Sequence, residues 1–319
     1  MNEQNIQSFY TYLQSQQTAQ QFLRACYQKI DGINADVKSY QNCNAFTYYV
    51  RHGKHFYETG KTVTPELQPI LYFYGMAHLL KACLLTKRPD YPETTKLLAH
   101  GVSSRKRKRK DYTFMQDEVK IHQNGLFPYF SEHLFQVKKW QVDKFKMAYL
   151  FGLIPEMTPL FKFENIDTLT IIGKTDQKTL TFPIHLLDNY YSTNESFLQR
   201  IAPHLPEGYR SENEKKSINI KLPSALTKSS GPFFLHITEK LIYFPSNREY
   251  FLPISEVMVH YLLLYNLSML SRYETEWWGD LLGSKSDLDY PFISQFLQHT
   301  SDKIPLLLGN ELYQQYLTH

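Results

Sequence analysis

Two stretches of this chain are too apolar to lie at a surface, and they stand far apart in sequence. ILYFYGMAHLLKACLL, from Ile70 to Leu85, is apolar on nearly every side of a helix, and ISEVMVHYLLLYNLSMLSRY, from Ile254 to Tyr273, is a second such segment. A helix of that kind must be covered by other elements. Packing the two against each other makes one core out of residues 1–159 and 254–319, with residues 160–253 as an insertion. The first segment also contains His78 and Lys81 and falls short of the roughly 20 residues a membrane span requires, so it reads as a buried helix.

Local signals fill in this outline. Ala19, Phe22, Leu23, Cys26, Tyr27 and Ile30 recur at helical spacing, with Thr18 as a cap and Gly32 as a stop. Asn42–Tyr57 reads as a helix interrupted near Gly53. Pro65 and Pro69 lead into the first apolar helix, and Pro89 and Pro92 end it. Short helices are expected at Ser131–Lys139 and Gln141–Leu153. Beyond Pro159 the pattern changes to β-branched runs, with GKTDQK read as a hairpin-like turn between two of them. KSINIKLP and PFFLHITEKLIYFPS supply further strands, and Pro206–Lys216 reads as a loop. Helical spacing returns after Pro253, with Ser255 as the cap. ETEWWGDLLG, SDLDYPFISQFLQH and DKIPLLLGNELYQQYL then predict three further short helices. The expected fold is mainly α with a β-rich insertion, an α+β arrangement around a split helical core.

Charge is the next constraint. The chain carries 35 basic and 31 acidic residues, a net charge of +4, and six of the basic residues are consecutive: Arg105, Lys106, Arg107, Lys108, Arg109 and Lys110. Without that run the balance would be −2, so the domain-wide basic footprint of a nucleic-acid-binding protein is absent and only a patch remains. Three guanidinium and three ammonium groups suit phosphate, the arginines by bidentate contacts and the lysines as point charges. His100 and Tyr112 flank the run, the tyrosine placed to stack on a base. The plainer reading is a solvated loop, partly neutralised by Asp111, Asp117 and Glu118. SRYETEWWGDLL supplies a second candidate, with Arg272, Trp277 and Trp278 as interface anchors or as the floor of the core.

Other chemistry is poorly represented. No phosphate-cradling glycine motif, nucleophile elbow or zinc-protease signature occurs. His52 and His55 have a metal-like spacing, but Arg51 and Lys54 beside them oppose a cation, so no metal and no cofactor is expected. Cys26, Cys43 and Cys83 form no C-x-x-C pair, which fits a reducing cytoplasm, and the polar start MNEQNIQSFYTYLQ lacks a signal-peptide pattern.

NCNAFTYYVRHG, LQPILYFYGMAHLLKACLL, LAHGVSSRKRKRK, DEVKIHQNGLFP and LLLYNLSMLSRYETEWW resemble the YaaC-like family of Bacillus and related Firmicutes. The resemblance runs over essentially the whole chain. Genes of that family often lie beside the gene for IMP dehydrogenase, which implies a role in purine nucleotide metabolism with that enzyme as partner. The expected function is therefore a non-enzymatic cytoplasmic regulator whose basic loop engages a nucleotide or an acidic protein surface. Residues Leu71–Ser104 also resemble HEPN-type helical domains, many of which are RNases with an arginine five to seven positions before a histidine. Arg51–His55 and Arg200–His204 each fall one position short. An RNase using His100 as general base, and a sequence-tolerant RNA-binding protein, stand as the alternatives.

Overall fold

The computed structural model of the chain describes residues 3–104, 112–138, 142–226 and 231–318. In chain order it runs through helices α1 (Glu3–Tyr12), α2 (Gln16–Tyr27), α3 (Ala35–Gly60) and α4 (Gln68–Lys87), then β1 (Val102–Ser104), β2 (Glu118–Ile121), α5 (Leu126–Phe135) and β3 (Lys144–Lys146). It continues with α6 (Met147–Phe151), α7 (Thr158–Phe163), β4 (Leu169–Lys174), β5 (Thr179–Pro183), α8 (Leu186–Tyr190), α9 (Asn194–Ile201), β6 (Arg210–Asn213), β7 (Ser217–Lys221), β8 (Phe234–His236) and β9 (Leu241–Pro245). Helices α10 (Glu256–Tyr273), α11 (Thr275–Ser284) and α12 (Asp289–Leu317) complete it. The protein is mainly α-helical, with small antiparallel sheets, two of them in the middle of the chain. It divides into two compact units, residues 1–147 with 260–319, and residues 148–259. The helical turns between 148 and 163 thus go with the second unit, where the sequence pattern had placed residues up to 159 in the helical body.

The first unit is organised around α4. Its apolar residues make it long enough and hydrophobic enough to cross a membrane, yet 72% of its most apolar window is buried inside the protein. Helix α3 packs along it without interruption. Gly53, which reads in sequence as a break, is interior to α3, and a Cβ there would lie 2.6 Å from Leu79 Cγ. The glycine allows two helices to approach rather than ending one. On another side, α4 meets α12, where the Cys83 thiol lies 3.6 Å from the Leu308 carbonyl and Lys87 pairs with Glu311 at 2.8 Å. The two short helices predicted for the region of α12 are one helix of 29 residues, passing through Pro305. Buried Phe292, Phe296, Thr300, Ile304, Leu308 and Leu312 keep its inner face continuous, and Tyr10 donates a hydrogen bond to the Pro305 carbonyl at 2.8 Å. The second apolar helix, α10, reaches α4 through rings: Phe73 lies 5.2 Å from Tyr261 and 5.6 Å from Tyr265 between centroids.

A three-stranded antiparallel sheet, β1-β2-β3, completes this unit. It corrects the two helices predicted for this part of the chain. Helix α5 starts at Leu126, five residues before the expected Ser131, and residues 144–146 are a strand paired with β2. Among the described residues of the expected Gln141–Leu153 helix, only Met147–Phe151 are α-helical.

The second unit carries two antiparallel sheets, β4-β9-β8 and β5-β7-β6, over a core that includes Leu180, Phe182, Phe197, Ile220 and Phe244. GKTDQK links β4 to β5, but the two strands are not a hairpin: β4 pairs with β9 and β5 with β7. Strand β6 lies within the segment predicted as loop. Its residues, Arg-Ser-Glu-Asn, show no apolar alternation because it pairs on one side only, as an edge strand against β7.

Candidate functional site

Helix α4 leaves one stripe uncovered. Leu71, Tyr74, His78 and Lys81 recur every three or four residues and are all half-buried, while most of the helix is inside. Helix α3 sets a matching row beside it, Tyr49, His52 and Phe56, at the same spacing. The rings of the two rows interlock. His78 stacks on Phe56 at 5.7 Å, meets His52 edge-on at 5.6 Å and lies 5.8 Å from Tyr49. The Lys81 ammonium sits 5.7 Å from the Tyr49 ring centre.

His100 joins this face from a different part of the chain. It precedes a crossing at which Leu126 N–H donates to the Ala99 carbonyl at 2.7 Å and Phe127 N–H to the His100 carbonyl at 3.1 Å. The crossing works only with glycine. Gly101 has φ +79° and Gly125 φ +122°, and a Cβ on Gly125 would lie 2.4 Å from Gly101 Cα. Tyr261 fixes the same carbonyl of His100 from α10 at 3.0 Å. The imidazole then rests among three rings, Phe73 at 5.0 Å, Tyr265 at 5.8 Å and Tyr74 at 6.2 Å.

Arg272, in the last turn of α10, closes the group. Its Nε donates to the Ser268 carbonyl at 2.9 Å, Nη1 donates to the Tyr74 hydroxyl at 3.3 Å, and the guanidinium lies 5.1 Å from the Tyr273 ring centre. The cations are close enough to feel one another. Burial lowers the pKa of His100, and Arg272 and Lys81 lower it further. Burial, with Lys81 and His52, brings His78 down to about 4, and burial alone lowers Lys81. Among the described residues none of Lys81, His78, His100 and Arg272 forms an ion pair with a carboxylate. Burial and the neighbouring cations favour neutral rings at His78 and His100, so the standing charges of the group are Lys81 and Arg272, and an incoming anion is attracted to both.

A second basic region lies across the Gly101–Gly125 crossing. A cavity of about 750 Å³ is lined by Lys120, His122, Tyr129, Glu132, Lys138 and Asp143, among others. Here the charges are matched, Lys120 with Asp143 at 3.5 Å and Lys138 with Glu132 at 4.0 Å, and His122 Nε2 shares a 2.8 Å hydrogen bond with the Ser103 hydroxyl.

The residues singled out in sequence fall into three places. Arg105, Lys106, Arg107, Lys108, Arg109 and Lys110 lie outside the described residues. Ser104 before them is paired with Val119 in the sheet, and Tyr112 after them donates to Asp117 Oδ2 at 2.8 Å and packs against Trp277 at 5.0 Å. Tyr112 thus turns its hydroxyl to a carboxylate, and it stands apart from His100. Burial and Asp117 together raise its pKa. Trp278 is 2% exposed and donates to the Glu66 carbonyl at 3.2 Å, so it closes the core and presents nothing to a partner. Arg272 does belong to the candidate site, with His100, although nothing in the sequence joins them. Tyr49, Tyr74, His78 and Lys81 were not singled out. Their signal was the helical recurrence of a tyrosine, a histidine and a lysine inside an otherwise apolar run. His52 lies within this aromatic face, and among the described residues no three His, Cys, Asp or Glu side chains gather as metal ligands would.

No curated protein and no solved structure shows significant similarity to the chain. The sequence profile of one family, described as YaaC-like Protein, matches residues 11–312. That span takes in both units and every residue of the candidate site, and the chain belongs to the YaaC-like family.

Proposed function

We propose that this protein is a non-catalytic cytoplasmic regulator that binds an anionic ligand, and that its partner is IMP dehydrogenase in purine nucleotide metabolism. The observation that carries the anion-binding part is the group of Lys81, His100 and Arg272, drawn from three separate segments onto one ring-lined face and without a carboxylate partner among the described residues. The basic run supports it, because residues 105–110 begin five positions after His100 and are joined to the first unit on both sides, at Ser104 and Tyr112. The partnership rests on the gene neighbourhood that membership of the family implies. His100 has rings and cations around it, the setting of an anion contact more than of a general base.

The test is affinity capture from a native lysate at physiological salt, comparing the intact chain with a variant in which residues 105–110 are glutamine. The expected result is stoichiometric IMP dehydrogenase, identified by mass, captured by the intact chain and lost with the charge. Capture of nucleic acid without the enzyme would replace this reading with the RNA-binding one. Ribonuclease turnover that vanishes in His100→Ala, with the fold intact, would replace it with the enzyme.

A further inference from the structure

We propose that Lys81, His100 and Arg272 hold the phosphate of a nucleoside phosphate whose base stacks on the rings that α3 and α4 present beside them, those of Tyr49 and Tyr74. The proposal rests on the anion-binding reading and names the ligand and its site.

Three features select this ligand class. The first is the donor set. Arg272 is fixed by Nε on the Ser268 carbonyl, Nη1 on the Tyr74 hydroxyl and Nη2 on Met269 Sδ, which leaves one further N–H on each terminal nitrogen to form a fork. Forks of that kind match phosphate oxygens in pairs, and an ammonium adds a point charge. The second is the ring density. A bare phosphate has no use for aromatic surface, whereas a base gains from stacking on it. The rings here are half-buried on the same stripe as the cations: Tyr74 touches both Arg272 and His100, and Tyr49 lies under Lys81. The third is extent. Tyr74 to Lys81 is seven residues of helix, about 10 Å along its axis, and Lys81 and Arg272 both lie near enough to His100 to lower its pKa, so the patch has the size of one nucleotide and is too short a track for a strand. An acidic protein surface fits less well, because half-buried cations set between rings are awkward for carboxylates fixed on a folded partner to reach.

The experiment is equilibrium dialysis of AMP, GMP, UMP, inorganic phosphate and a ten-residue oligouridine against the full chain. The wild type is compared with Lys81→Gln, Arg272→Gln and the variant with glutamine at 105–110. At least one mononucleotide is expected to bind at least tenfold tighter than inorganic phosphate. Each of Lys81→Gln and Arg272→Gln is expected to weaken it by about tenfold or more, the loss of one charge-assisted contact to phosphate. Arg272→Lys, which keeps the charge without the fork, should recover part of that loss. The variant at 105–110 should weaken nucleotide binding by less than about threefold. Among the described residues Lys81 makes no ion pair, so Lys81→Gln decides the matter if Arg272→Gln melts below the assay temperature.

Absence of any mononucleotide binding to the wild type overturns the proposal. So does inorganic phosphate binding as tightly as the nucleotides, or oligouridine binding more tightly than all of them. Loss that follows residues 105–110 and ignores Lys81 and Arg272 also overturns it, while leaving the broader anion-binding reading in place. Failure of the capture experiment with the Lys81 and Arg272 effects intact would overturn the partnership with IMP dehydrogenase and leave the nucleotide site in place.

Discussion

Two basic regions flank the crossing of Gly101 over Gly125, and they differ in one respect. Around the cavity on the His122 side, Lys120 and Lys138 each have a carboxylate within 4.0 Å. Around His100, Lys81 lies over the ring of Tyr49 and Arg272 over that of Tyr74, and both act on the imidazole between those rings and the core. A basic residue paired on an exposed surface contributes little either way. An unpaired one held half-buried beside others costs the free protein stability, and its persistence asks for something that offsets it. Concavity points to the cavity, and charge balance points to the flatter face. Charge balance is the better guide here because it is the property an anion would change.

The comparison breaks most completely if its hinge is removed. Gly125→Ala places a side chain against Gly101 at a φ that L residues avoid, and should cost about 3 kcal/mol or more of stability. Urea denaturation measures it, and a midpoint equal to the wild type would show that the crossing tolerates a Cβ.

The next effect is a pH dependence. His78, brought down to about 4 from the ordinary histidine value of 6.5, favours the neutral ring in the folded state. The unfolded chain therefore takes up the proton first, and stability present above pH 6.5 is lost as pH falls toward 4. For a half-exposed ring the loss is about 2 kcal/mol after allowance for solvent screening. His100, His133 and His204 are lowered as well and act in the same direction. The measure is accordingly the difference between wild type and His78→Gln at pH 7.5 and 4.5. Equal losses in the two proteins would remove His78 from the account.

A smaller effect sharpens the contrast itself. Lys81→Gln should stabilise the ligand-free protein by about 0.5–1 kcal/mol, since it removes a partly desolvated charge. Lys120→Gln, by contrast, should stay within about 0.5 kcal/mol of wild type, because its partner Asp143 is exposed and readily solvated. Thermal melts at low salt read both, and a destabilised Lys81→Gln would mean that its stem packing outweighs its charge.

Much of the architecture was legible for a simple reason. Helices α4 and α10 are apolar almost all round, and only a buried position satisfies that pattern. Gly53 misled because a residue that usually breaks a helix has another use here, letting α3 approach Leu79. The two short helices expected over α12 are one because the buried face runs on between them. Strand β6 was hidden because an edge strand of polar residues has no alternation to detect. The candidate site was half legible. His100 and Arg272 were each noted, but on account of nearer neighbours, the basic run and the tryptophans. What unites them is contact with Tyr74 across 26 and 198 positions, and no local pattern encodes that. Lys81 and His78 were visible only as exceptions in an apolar segment, which turns out to be the trace that a half-covered helix leaves.

The pairing of α4 with α12 has a consequence for synthesis. The Cys83–Leu308 and Lys87–Glu311 contacts join parts of the first unit that leave the ribosome far apart in time. At ordinary elongation rates the interval between residues 147 and 319 is roughly 10–30 s. During that wait the side of α4 that α12 covers lacks its partner, although α3 is already there to pack along the helix. The core of the first unit is therefore completed only once α12 has been translated.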